Sequence, residues 1–599
     1  AMKPEFDDRK WETVTVPHDW AIFGPFDRSN DLQEVAVTQN FEKKASVKTG
    51  RTGGLPYVGI GWYRTTFDAS ANQQTTLVFD GAMSEARVYV NGQEACFWPF
   101  GYNSFHCDVT GLLNKDGKNN TLAVRLENRP QSSRWYPGAG LYRNVRVVST
   151  DKVHVPVWGT QLTTPHVADE YASVRLLTTI ANDEGKDIRI VTEIISPDGK
   201  VVATKDNTRK INHGQPFEQN FLVNAPCLWS PETPYLYKAV SKVYADGKQT
   251  DEYTTRFGIR SIEIIADKGF FLNGKHRKFQ GVCNHHDLGP LGAAINVAAL
   301  RRQLTLLKDM GCDAIRTAHN MPAPELVQLC DEMGFMMMVE PFDEWDIAKC
   351  ENGYHRYFNE WAERDMINML HQFRNNPCVV MWSIGNEIAE RADEPTGEVI
   401  AKKLIATIEK YDTTRPSTAA VNAFWDRRHF SWEKDSERAF RNLDVSGYNY
   451  QWKEYENDHA RFPERVMYGS ESVPKEAAQN WNLIDKNPYL IGDFVWTAID
   501  YLGEAGLAHT LELAPGEHSP QFMGWPWYNA WCGDIDLCGD KKPQSYYRDI
   551  LWNRRDISLA GQPPVADGKR EDINYWGWKN ELLSWNWKGM EGKTMTVHV

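Results

Sequence analysis

The stretch VVMWSIGNE, Val379 to Glu387, decides the fold. A run of apolar and small residues without any charge ends on an amide and a carboxylate. A strand buried on both faces reads this way, whereas a strand with one wet face alternates. The same pattern recurs on either side of it. Short β-rich runs stand at 277–284 (RKFQGVCN), 312–318 (CDAIRTA), 336–342 (MMMVEPF), 417–422 (STAAVN), 444–450 (DVSGYNY), 465–470 (RVMYGS) and 490–498 (LIGDFVWTA). Helical periods fall between them. Leu300, Leu304 and Leu307 share one face of a segment at 297–310 behind a capping Asn296. A second segment, 322–333, opens with Pro322 and closes at Gly334. Eight strand–helix units in succession predict a (β/α)8 TIM barrel over 263–556.

Upstream the pattern is different. Residues 1–150 contain TTLVFDG (75–81), EARVYVNGQ (85–93), TLAVRLEN (121–128) and RNVRVVST (143–150), with Asn91-Gly92 as a hairpin turn. They predict a jelly-roll-like β-sandwich of the kind that binds sugars. Residues 151–262 repeat the style with Asp-Gly turns, in the size range of an immunoglobulin-like β-sandwich. Residues 557–599 read as a linker followed by the beginning of a C-terminal β-sandwich domain. TMTVHV stops in mid-pattern, so the natural chain is expected to continue past Val599.

The 599 residues carry a net charge of −13. An acidic chain with no basic face is not expected to bind nucleic acid. No run of 18 apolar residues exists, so no membrane span is expected. No signal peptide is visible, but Ala1 before Met2 resembles a scar. A periplasmic or secreted soluble protein is expected if a leader was removed, and a cytoplasmic one otherwise. The 10 Cys are scattered and indicate neither a disulfide framework nor a zinc ribbon. Cys283, Cys312, Cys330 and Cys378 lie in apolar runs and read as small core residues.

Catalytic groups in a barrel sit where strands end, on the C-terminal face. The residues there are Asn284, His285, His286 and Asp287, then His319 and Asn320, then Asp343, Glu344 and Trp345, then Asn386 and Glu387, then Asn449 and Tyr450, then Glu471, with Trp496 on the last strand. Carboxylates, imidazoles, amides and flat rings suit a carbohydrate. Glu387 and Glu471, at the ends of the fourth and seventh strands, stand out as a pair. A retaining glycosidase needs one carboxyl to protonate the leaving oxygen and another to attack the anomeric carbon. Repulsion and poor solvation would raise the pKa of the member that carries the proton.

The chain resembles glycoside hydrolase family 2 along nearly its whole length. The resemblance is carried by PHDW (17–20), RFGIR (256–260), GVCNHHDLG (281–289), RTAHNMPAPELVQLCDEMG (316–334), WSIGNE (382–387), YGSES (468–472) and GDFVWTAID (492–500). It implies that Glu387 is the acid/base and Glu471 the nucleophile. It further implies that Asn386 meets the sugar 2-hydroxyl, that Tyr450 holds Glu471, and that His285, His319 and Trp496 line the subsite for the terminal sugar. Homo-oligomers are common among similar enzymes, and no cofactor is implied.

Family members act on β-galactosides, β-glucuronides or β-mannosides. A uronic carboxylate calls for a cation. Where glucuronidases carry a Lys after the last strand, this sequence has Cys532-Gly533-Asp534. Asp534 would repel a carboxylate and favours a β-galactoside, unless it is only a turn residue. Arg134, in a loop that would reach the site from the first sandwich, pulls the other way. It could meet an acidic or sulfated sugar, pair with a nearby Asp, or anchor its loop. No metal is expected. His285, His286, Asp287 and His319 match no zinc spacing, and Trp345 and Ile347 stand where relatives place Mg2+ ligands. His286 and Asp287, with Asn449 and Trp345, would then be supporting residues. A carbohydrate-binding protein on a glycosidase scaffold is the non-enzymatic alternative.

Overall fold

In a computed structural model, the structure describes residues 1–599 except 41, 53–55, 71, 211–214 and 428. All eight runs form strands, and the strands close into a parallel barrel. They are, in order, Phe279–Asn284, Ala314–Thr317, Met336–Val339, Val379–Asn386, Ser417–Val421, Val445–Asn449, Met467–Ser472 and Leu490–Val495. The first pairs with the last in the register Phe279↔Gly492, which shuts the sheet. Every residue of Val379–Asn386 is buried, as its uninterrupted apolar run requires. The barrel interior is a packed core, with Phe279, Val282, Met338, Trp382 and Tyr468 fully buried.

The helix Val297–Met310 begins where Asn296 caps it, accepting from the Ala299 amide at 3.1 Å. The next helix opens at Pro324, not Pro322, and stops at the left-handed Gly334. Residues 262–277 do not belong to the barrel. Ile262–Ile265, Gly269–Leu272 and Lys275–Arg277 form their own antiparallel sheet, turned at Asn273-Gly274.

Two β-sandwiches precede the barrel. In the first, a sheet ordered Gly59–Phe67, Asn120–Asn128, Ala86–Val90, Gln93–Trp98 faces a sheet ordered Phe105–Asp108, Gln74–Phe79, Val145–Thr150. Leu77, Phe79, Val88, Phe105 and Val124 fill the space between them. Asn91 and Gly92 both have positive φ, as a tight hairpin turn demands. Cys96 and Cys107 are joined in a disulfide, which their scattered spacing did not suggest. The second sandwich spans Thr160 to Phe257 in sheets of three and four strands. Phe217–Asn224 alternates buried and exposed residue by residue, the mark of a strand with one face on a core.

Buried arginines fix both sandwiches to the barrel. Arg143 donates to the carbonyls of Tyr102 at 2.8 Å and of Met321 at 2.9 Å. Arg260 donates to those of Pro377 at 2.6 Å and Val379 at 2.7 Å. After the barrel, Arg570–Ile573 pairs with Thr510–Leu513 from the loop after the eighth strand. Ala560–Gln562 pairs with Thr596–His598. The segment is therefore a strap across the barrel mouth. No helix is long and apolar enough to cross a membrane among the described residues.

Candidate active site

The strand ends converge on a cavity of about 490 Å³. Its wall includes Glu387, Glu471, Asn386, His319, Asn449, Tyr450, Trp496 and Arg134. Several strand ends set the two carboxylates. The fourth ends at Asn386, and Glu387 follows in the left-handed region at φ 44°. The sixth ends at Asn449, with Tyr450 at φ 59°. Such backbone is costly for residues with a Cβ and persists where the surroundings hold it. Here the Glu387 amide donates to Ala420 at 2.8 Å, and the Tyr450 amide donates to the Glu471 carbonyl at 2.8 Å.

Glu471 is 4% exposed and lies within the seventh strand. Arg316 Nη1 donates to its Oε1 at 2.7 Å, and the Tyr450 hydroxyl donates to its Oε2 at 2.5 Å. Burial pushes its pKa up to about 7. Arg316 opposes that rise, the charge of Glu387 adds to it, and Tyr450 opposes it. The expectation of a raised pKa concerned the proton-carrying partner of the pair, and the structure raises Glu471. Glu387 is half-buried, and its Oε1 accepts from Asn449 Nδ2 at 3.0 Å. Gln39, from the N-terminal region, donates to its backbone oxygen at 3.0 Å.

Arg316 is the hub that sequence reading missed. It is fully buried in the second strand, and Nη2 donates to Glu340 at 2.7 Å and to Asn386 Oδ1 at 2.9 Å. The signal was present, since a guanidinium inside the apolar run CDAIRTA must have charged partners. With both Nη2 hydrogens used, His319 Nδ1 is the protonated nitrogen, donating to Glu340 at 2.8 Å. Burial, aided by Arg316, holds the His319 pKa well below the usual imidazole value. The ring is therefore neutral, and Nε2 is an acceptor 3.7 Å from Glu471. It stacks on Trp496 with centroids 5.1 Å apart and planes at 2°.

Arg134 reaches the cavity, and acids meet it there. Its guanidinium forks onto Asp343 at 2.9 and 2.9 Å and donates to Glu504 at 2.8 Å. Lys349 binds Asp343 at 2.9 Å as well, and these cations hold the Asp343 carboxyl well below the usual range despite its burial. Asn386 Nδ2 donates to the same carboxylate at 3.0 Å. Asn449 donates to Asn386 Oδ1 at 3.1 Å and accepts from Ser470 at 2.6 Å.

Two expected substrate contacts stand elsewhere. Asp534 is 0% exposed and off the cavity wall, where it pairs with Arg548. Chain direction after the last strand turns its side chain into the protein. His285 is also buried and off the wall. It stacks on Tyr501 at 3.8 Å and meets Trp496 edge-on at 5.3 Å, so it backs the subsite without lining it. The supporting residues lie deeper. Asp287 accepts from the Gly289 amide at 3.0 Å, His286 bonds the Pro137 carbonyl at 3.1 Å, and Trp345 donates to the Ile384 carbonyl at 2.9 Å.

Sequence reading also missed the outer wall. Asn422, after the fifth strand, is buried on it, and its amide has no protein partner among the described residues. A ligand or water is left to satisfy such a group. Trp425, Arg51, Tyr575 and Trp576 also line the cavity. Among the described residues, no group of three or more His, Cys, Asp or Glu is arranged to hold a metal ion.

This architecture is shared with known proteins. The TIM barrel domain of glycosyl hydrolases family 2 matches residues 263–512, the family 2 domain matches 155–260, and the galactose-binding domain-like module of glycosyl hydrolase 2 matches 61–136. The chain is 34% identical to a Bacteroides ovatus protein named beta-galactosidase BoGH2A, over 97% of this chain and 73% of that one. It is 32% identical to a Formosa agariphila protein named putative beta-glucuronidase, over 92% of this chain and 54% of that one. The crystal structure of a glycosyl hydrolase family 2 member from Bacteroides cellulosilyticus superposes with a TM-score of 0.88 at 33% identity, covering 100% of this chain and 75% of that chain. A relative this similar along almost the entire chain, and three successive domain matches in the family's order, place the protein in glycoside hydrolase family 2 as a glycoside hydrolase.

Proposed function

We propose that the protein is a retaining exo-β-glycosidase that removes terminal β-D-galactosides by double displacement. The supporting observation is the pair Glu387 and Glu471 on one cavity wall, with Arg316 and Tyr450 both bonded to Glu471. In the first step Glu387 gives its proton to the glycosidic oxygen while Glu471 attacks the anomeric carbon. The bond to the leaving group breaks, the alcohol departs, and a glycosyl ester forms on Glu471. In the second step Glu387, now anionic, takes a proton from water, whose oxygen displaces Glu471. Arg316 and Tyr450 favour the carboxylate form of Glu471, which is the form that attacks. Asn386 keeps one amide hydrogen for the sugar 2-hydroxyl, and His319 Nε2 offers an acceptor.

A neutral sugar is supported by the state of Arg134. Its guanidinium is already matched by Asp343 and Glu504, so Arg134 itself offers no unpaired charge to a uronic carboxylate. This replaces the argument from Asp534. One observation favours a glucuronide as the second reading. Arg51 also lines the cavity and bonds only the Lys349 carbonyl and Cys350 Sγ, at 3.2 Å each, among the described residues. A uronic carboxylate would suit it. A panel of nitrophenyl β-glycosides tests both readings. The galactoside is expected to give the highest kcat/KM, with the glucuronide at least tenfold lower, about 1.4 kcal/mol in transition-state binding. The reverse order would establish the second reading.

A further inference from the structure

Tyr450, which holds Glu471, is itself held. The indole Nε1 of Trp576 donates to the Tyr450 hydroxyl at 2.9 Å, and that hydroxyl donates to Glu471 Oε2 at 2.5 Å. The chemistry of the three groups fixes the direction. An indole N–H can only donate, so the phenol oxygen must accept from it. A phenol has a single hydrogen, and the remaining contact is the carboxylate. Donation into the phenol oxygen also polarises the O–H and strengthens its bond to Glu471.

Trp576 lies outside the barrel, and the strap presents it. Arg570–Ile573 pairs with Thr510–Leu513, and the chain then turns at Asn574. The Asn574 amide donates to His509 at 3.1 Å, its side-chain oxygen accepts from Ala508 at 3.2 Å, and its carbonyl accepts from Gly577 at 2.9 Å. A Cβ on Gly577 would stand 2.9 Å from the Ala508 carbonyl, so only glycine allows this approach. The turn sets the Trp576 ring at 83° to that of Tyr450, with centroids 6.0 Å apart.

We propose that Trp576 is a positioning residue for the nucleophile, its indole N–H fixing the Tyr450 hydroxyl as a donor to Glu471. The strap after the barrel then sets the protonation of a group inside it. This inference rests on the reading of Glu471 as the nucleophile. The competing role for Trp576 is an aromatic wall against the leaving group, which would act through KM.

The test replaces Trp576 with 3-benzothienylalanine, which keeps the bicyclic shape and removes the N–H, and separately with Phe. Each is made in the wild-type and in the Tyr450→Phe background of the full chain. The readout is the pH profile of kcat/KM on the nitrophenyl glycoside that the wild type cleaves best. In the wild-type background the ascending limb is expected to move upward by roughly half a pH unit, with kcat falling and KM little changed. In the Tyr450→Phe background no further movement is expected. An unmoved limb, an equal shift in both backgrounds, or an effect confined to KM would overturn the proposal. Should the Phe variant fail to fold, as judged by its thermal midpoint, the near-isosteric benzothienyl variant decides. Trapping of the wild type with a 2-fluoro glycoside separates the two failures. A label away from Glu471 removes the nucleophile reading itself, whereas a label on Glu471 with an unmoved limb removes only the role of Trp576.

Discussion

Arg316 connects three acidic or amide groups from three strands, and its own charge has no other outlet. Replacing it with Met would leave Glu340 and Glu471 buried without their cation, a loss of roughly 3–5 kcal/mol in stability. The variant is expected to unfold at lower denaturant and to lose activity beyond that effect. Tyr450→Phe is milder. It removes one bond that favours the Glu471 carboxylate, so the Glu471 pKa rises above about 7. The proposed double displacement needs that carboxylate ionised, so the ascending limb of kcat/KM is expected to move to higher pH, by roughly one unit. A limb that stays or moves to lower pH contradicts this. At this scale the strand-end residues were legible because a barrel puts them in one mouth. Arg316 and Glu340 were less legible, since Arg316 points inward from within its strand instead of following it. Asp534 was misread because sequence gives the residue but not the side to which a turn directs it.

The helix His355–Phe373 shows what one element can couple. One face packs on the barrel, while Asp365 turns to the first sandwich, accepting from Trp98 at 2.8 Å and Asn103 at 2.6 Å and from the Tyr354 hydroxyl. Burial pushes the Asp365 pKa from 3.8 to about 7. Between about pH 4 and pH 7 the folded protein therefore keeps a proton that the unfolded chain has lost. Stability from this group falls as pH rises through that window. Asn can retain the two donors to Oδ1 and give a hydrogen to the Tyr354 oxygen. Asp365→Asn is thus expected to flatten the decline of the unfolding midpoint between pH 5 and pH 7.5, and an unchanged slope would contradict the assignment. The strap was the element least legible in sequence. INYWGWKN reads as strand of a further β domain, and Thr510–Leu513, which pairs with Arg570–Ile573, lies in a loop that carries no signal of pairing.

Across the whole molecule, the candidate cavity is built by parts distant in sequence. Gln39 and Arg134 come from before the barrel, Trp576 from after it. Periodicity made the three-domain order legible, since each sandwich and the barrel satisfies its own hydrophobic pattern. The contacts between them were not, because a buried Arg on a carbonyl, such as Arg143 on Met321, leaves no periodic trace. Arg143→Met would strand several buried carbonyls, each costing about 1–3 kcal/mol. It is expected to loosen the first sandwich from the barrel and to reduce kcat/KM even where the barrel remains folded. Glu387→Ala should lose about 10²–10⁴-fold in rate on poor leaving groups, while on activated substrates azide should restore turnover and yield a β-azide. The most direct measurement is peptide mass spectrometry after inactivation with 2-fluoro-β-galactosyl and 2-fluoro-β-glucuronyl fluorides. A covalent sugar on Glu471, absent in Glu471→Gln, is the predicted result; a sugar attached to any other residue would contradict the account.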